Sequence, residues 1–188
     1  EYRVIDSMGD TYKVLDDSCN HGFMVLSNDI YKRGGFENGS WGKVRLAHEG
    51  LQELVLCSKG KGEETVISEC FALASKCPFG ITKKNGEFHM NPLELTMKTI
   101  FTPPLKVSAD DELGTSMPIG EYYGTRSQIV VLVNKDRTRV KYVERIIHSS
   151  DKHIEDYNPA HAIEENRFEL DLTKVRNSEK FSSLDRPM

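Results

Sequence analysis

The chain has 188 residues, 38% of them hydrophobic and 29% charged, which suits one soluble globular domain with a sizeable core. A formal net charge of -4 and a pI near 5.9 argue against nucleic acid as the main partner. No apolar run approaches the roughly 18 residues that a membrane span needs, and no signal peptide is visible.

The chain opens on Glu1 rather than Met, so a preceding segment is expected. Tyr2 to Ile5 and Tyr12 to Leu15 alternate apolar and polar residues and predict two short strands. Gly22 to Leu26 predicts a third, ended by Ser27-Asn28-Asp29, where Asn and Asp favour local turns or present an amide at a sheet rim. Ser40 is the expected N-cap of a helix through Trp41 to Cys57, with Val44, Ala47, Leu51, Leu54 and Val55 on one face. The Asn38-Gly39-Ser40 sequon reads as the turn feeding that cap.

A second helix is expected from about Glu63 to Lys76, with Val66, Ile67, Cys70, Phe71 and Ala74 on its apolar face. Glu63 and Glu64 suit its positive end, and Pro78 forbids continuation. Pro92 to Lys98 predicts a short helix opened by proline. Ile100-Phe101 is extended, Pro103-Pro104 breaks it, and Ala109 to Gly120 is polar.

The stretch Tyr123-Gly124-Thr125-Arg126-Ser127 then opens Ile129-Val130-Val131-Leu132-Val133. Five consecutive apolar residues predict a strand buried on both faces. The loop Asn134 to Thr138 returns the chain into Arg139 to Ile146, a hairpin. His148 to Asn166 reads as a surface excursion, Arg167 to Leu172 as a final strand and Lys174 to Met188 as a frayed tail. The expected organisation is one domain over 1–173 and a tail over 174–188. Helices lying on strands predict an α+β layered fold.

Chemistry concentrates at the mouth of the hairpin. Backbone can approach a ligand closely at Gly124. Arg126 offers a two-pronged donor for a carboxylate or phosphate. The alternative reading is a turn with a surface salt bridge. The four cysteines, Cys19, Cys57, Cys70 and Cys77, form no Cys-x-x-Cys pair and are expected to be reduced, buried thiols. The six histidines lack metal-ligand spacing. Cys77-Pro78 resembles a short Cys-Pro heme-regulatory motif, and a helix stopped by proline accounts for it equally.

Gly22-Phe23-Met24-Val25-Leu26-Ser27-Asn28, Trp41-Gly42-Lys43-Val44, Thr99-Ile100-Phe101 and Tyr123-Gly124-Thr125-Arg126-Ser127, with the hairpin ending Val143-Glu144-Arg145, occur in that order. Together they resemble the transport and Golgi organization protein 2 family, also called the NRDE family. The family is similar to N-terminal-nucleophile hydrolases, so the resemblance implies a layered αββα sandwich. Members typically begin Met-Cys and carry Asn-Arg-Asp-Glu and Gly-Gly-Thr-Trp before Leu-Ser-Asn. Those motifs are not in this sequence, which therefore resembles the later part of such a protein, with the N-terminal segment absent.

By that resemblance Asn28 takes the place of an oxyanion-stabilising amide and Arg126 that of an active-site arginine, both in supporting roles. The implied ligand-binding set is Asn28, Tyr123, Gly124, Thr125 and Arg126. The implied function is a carrier or homeostasis protein handling heme, as cargo rather than resident cofactor, or an anionic lipid or acyl-CoA. Its partners would be that ligand and the missing segment, in the cytoplasm, at mitochondria or at the Golgi. Cys77 is the heme-ligand candidate. The alternatives are a hydrolase of linear amide (C–N) bonds with an N-terminal cysteine, and an interaction module with a vestigial site.

Overall fold

The computed structural model describes residues 3–5, 11–13, 25–27, 41–77, 92–106, 122–148 and 158–174. Strands β1 (Arg3–Ile5) and β2 (Thr11–Lys13) pair antiparallel. Helices α1 (Gly42–Cys57), α2 (Glu63–Ala74) and α3 (Pro92–Lys98) follow. Strands β3 (Leu105–Lys106) and β4 (Tyr122–Tyr123) form a second antiparallel pair. The main sheet has the order β5-β6-β7, from β5 (Ser127–Val133), β6 (Arg139–Ile146) and β7 (Glu164–Asp171). The chain is thus mixed α+β, with a three-stranded antiparallel sheet and a few helices.

Alternation divides the main sheet into two unlike faces. Val130 and Val143 are paired neighbours that meet Ile67 and Phe71 of α2, and all four are buried. Cys70 and Leu132 pack against this cluster. A bond from Gln128 Nε2 to Ser75 Oγ (3.0 Å) fastens the end of α2 to the start of β5. Gln128 is itself buried, and Ser75 caps α2 by donating its amide to the Phe71 carbonyl.

Beyond the apolar cluster the same face is charged. Glu63 pairs with Arg139 and Lys141, Glu64 with Lys141 and Arg167, and Glu165 with Arg145 and Arg167. The Arg145 guanidinium also lies 4.2 Å from the Phe71 ring centre, a cation–π contact. These links join the first turn of α2 to β6 and β7.

The other face is apolar and open. Ile129, Val131 and Val133 of β5 and Phe168 and Leu170 of β7 are 53–58% exposed. The register sets Tyr142 between Val131 and Phe168, and Val140 between Val133 and Leu170. The Tyr142 and Phe168 rings are 5.8 Å apart. β5 is therefore buried on one face, not two: α2 covers a single side of the sheet, and no described element covers the other.

Other differences are local. Trp41, not Ser40, stands at the N-cap of α1, and its side chain makes no cap bond. Val55 falls off the packed face of α1 and is exposed, as is Cys57, while Cys70 and Cys77 are half-buried. Of the expected Gly22 to Leu26 strand only Val25 and Leu26 lie within the described residues; they carry no strand, and Leu26 is exposed. β7 begins at Glu164, three residues before the first expected strand residue. Cys19, Ser40, the Ala109 to Gly120 stretch and the tail after Lys174 lie outside the described residues.

The hairpin loop is built around Asn134. Its Oδ1 accepts from the amides of Thr138 (2.8 Å) and Arg139 (2.9 Å). Arg137 is forced to φ 53°, a left-handed conformation that costs an L-residue about 1–2 kcal/mol.

The ion pairs give stability a defined pH dependence. Hydrogen bonds from Lys141 to Glu63, from Arg167 to Glu64 and from Arg145 to Glu165 hold these carboxyls below their ordinary 4.5. A carboxyl held low in the folded state stabilises above its unfolded pKa and loses that contribution as pH falls through the folded value. The urea midpoint is therefore expected to hold level from pH 7 to 5 and to fall below 4.5, more shallowly in Glu64→Gln than in the parent.

Candidate functional site

Arg126 stands immediately before β5 on a segment pinned from both sides. Upstream, β4 pairs with β3 through Leu105 opposite Tyr123 and Lys106 opposite Tyr122. The Thr125 amide donates to the Thr102 carbonyl (2.7 Å). In return the Thr102 amide donates to Thr125 Oγ1 (2.9 Å). Downstream, the Arg126 carbonyl accepts from the Ile147 amide (2.8 Å), and Ile147 is fully buried.

The strip opposite is wholly buried: Phe101, Thr102, Pro103, Pro104 and Leu105. It is also moored to the end of α2, because the Phe101 amide donates to the Lys76 carbonyl (3.1 Å). A prolyl strip offers few amide donors, so the Thr102 amide needs the Thr125 hydroxyl once water is excluded.

Gly124 is where this packing leaves no space. A Cβ there would sit 2.8 Å from the Pro103 carbonyl oxygen and 3.0 Å from Pro104 Cα. Both neighbours are backbone and cannot swing away. The close approach that sequence placed at Gly124 is thus made by the protein's own chain.

Of the expected site residues, the structure brings Tyr123, Gly124, Thr125 and Arg126 into one segment. Tyr123, Gly124 and Thr125 are half-buried and Arg126 is exposed. The Arg126 guanidinium pairs with no carboxylate among the described residues. Asn28 lies outside the described residues. Cys77 lies just beyond the end of α2 and is half-buried.

Burial, reinforced by the neighbouring Glu69 carboxylate, pushes the Cys70 thiol above its ordinary pKa. That keeps it protonated and a poor nucleophile. Among the described residues, no group of three or more His, Cys, Asp or Glu side chains is placed to hold a metal ion. None of the described helices is long and apolar enough to cross a membrane.

A cleft of about 200 Å³ lies at the far end of β5, lined by Glu63, Leu132, Val133, Asn134, Arg139 and Lys141. Glu63 already pairs with both cations there. The cleft includes none of the expected site residues. Thr102 and Gln128 escaped sequence reasoning, since nothing local marks a backbone amide or a buried glutamine as a fastening point.

The description Transport and Golgi organisation 2 belongs to the family profile that matches residues 1–149. An uncharacterized protein of Saccharomyces cerevisiae is 43% identical over 177 residues, covering 92% of this chain and 57% of the relative. The chain thus spans little more than half the length of that relative. No solved structure matches the chain.

Filling the space at Gly124 measures how firmly the segment is packed. Gly124→Ala is expected to destabilise the fold by about 1–3 kcal/mol, the usual cost of overpacking. Urea denaturation reads this directly.

Proposed function

The chain belongs to the Transport and Golgi organisation 2 family, and from that premise we propose that it is the ligand-holding part of an intracellular carrier. The ligand pairs an apolar body with an anionic group: heme as cargo, or an anionic lipid or acyl-CoA. One observation carries the reading. Arg126 projects an exposed guanidinium, with no carboxylate partner among the described residues, from backbone fixed on both sides. A guanidinium so placed can clamp a propionate or phosphate with two parallel hydrogen bonds. Asn28 and Tyr123 are the further ligand contacts of the proposed site, Gly124 and Thr125 belong to the segment that carries Arg126, and Cys77 is the thiolate candidate for heme iron. The carrier acts in the cytoplasm, at mitochondria or at the Golgi.

The fold we attach to this reading is the layered αββα sandwich, with 1–173 as a single domain. The open apolar face of β5-β6-β7 supports it. Covering five half-exposed side chains is worth about 1 kcal/mol each. The total, roughly 5 kcal/mol, rivals the net stability of a small domain. A second sheet packed about 10 Å away is the usual cover for an apolar sheet face. The polypeptide beyond the matched 57% of the yeast relative has the length for such a layer.

Two measurements test these readings. Hemin titrated into the native polypeptide is expected to give a saturable Soret shift, weakened about tenfold in Arg126→Ala by loss of a charged hydrogen bond. No shift, together with no binding to acidic lipid vesicles, overturns the carrier. For the layered fold, Val131→Cys is expected to react with maleimide at least tenfold more slowly in the native polypeptide than in residues 1–188 alone. Equal rates overturn the second sheet.

A further inference from the structure

We infer that Thr125 and Thr102 are positioning residues for Arg126, holding its backbone in one conformation. The inference rests on the Arg126 reading above and divides the labour within that site. Thr125 had been expected to touch ligand, yet its hydroxyl accepts the amide of Thr102, a residue only 7% exposed. The two threonines exchange a pair of bonds at 2.7 and 2.9 Å. These bonds lie one residue before Arg126, and the Ile147 amide holds the Arg126 carbonyl itself at 2.8 Å.

A side chain at Gly124 would strike the backbone of Pro103 and Pro104, so only glycine lets the segment lie this close to the buried strip. The dihedral angles at Arg126 are therefore fixed from both ends, and only its side-chain torsions remain free. An arginine on fixed backbone gives up less freedom on binding than one on a loose loop, and that difference is affinity. The threonine hydroxyl is the single side-chain group in this clamp. All its other members are backbone, so Thr125 is where substitution can reach it.

The test reads the clamp and the ligand separately, in the native polypeptide. Thr125→Val keeps the shape and removes the acceptor, whereas Thr125→Ser keeps the acceptor. Amide hydrogen exchange at Thr102 and Ile147 is expected to quicken at least tenfold in Thr125→Val and to stay at the parent rate in Thr125→Ser. The Val143 amide, in the middle of β6, should be unchanged in both and reports that the fold is intact. Hemin affinity is expected to fall several-fold in Thr125→Val, to recover in Thr125→Ser, and to fall no further when Thr125→Val is added to Arg126→Ala.

Unchanged exchange at Ile147 in Thr125→Val overturns the inference, whatever hemin does. Quickened exchange with undiminished hemin affinity also overturns it, provided that Arg126→Ala itself weakens binding. An Arg126→Ala variant that binds hemin and acidic vesicles as the parent does sinks the carrier reading instead, while the exchange rates still decide the clamp.

Discussion

Phe71 and Ile67 pressed against Val130 and Val143 is the contact on which the rest of the structure depends. It seats α2 on one face of the main sheet and brings the first turn of that helix over the charged rows of β6 and β7. The ion pairs then act at a surface already docked. Exposed pairs of this kind add little individually, so they refine the alignment of α2 rather than create it. The same contact decides which half of β5 is hidden. It also carries the Ser75–Gln128 bond, which joins the end of α2 to the threshold of the Arg126 segment.

Much of this was legible from residues alone. The α2 apolar set, the Asn134 to Thr138 loop, the β6 boundaries and the short helix opened by Pro92 follow from periodicity and from what proline and asparagine allow. The sidedness of β5 was not legible. A run of apolar residues says that both faces favour burial, but which face finds a cover depends on distant chain. β7 began early because Glu164, Glu165 and Asn166 join the sheet through backbone pairing and Arg145–Glu165. Polar composition concealed that. At the site, the glycine and arginine were visible from sequence, whereas the Thr102 amide that locks them has no side-chain signature.

The site and the sheet make opposite demands. The Tyr123–Arg126 segment is held by short, directional bonds and by a glycine with no room beside it. The face of the sheet that β5 opens is broad, apolar and undirected. The first fixes where the Arg126 backbone stands, and the second offers apolar area to whatever layer covers it.

The family profile stops at residue 149, yet β7 runs from Glu164 to Asp171 and pairs with every residue of β6. The profile and the folding unit therefore end at different places, whereas the likeness to the yeast protein, over 92% of the chain, runs past residue 149. A polypeptide trimmed at the profile boundary would turn β6 into a bare edge, with its outward amides and carbonyls open to any passing strand. Glu64 would lose Arg167, and Arg145 would lose Glu165. The eight residues of β7 thus complete the partner row of β6, and Glu165 and Arg167 among them tie that row to Arg145 and to Glu64 of α2.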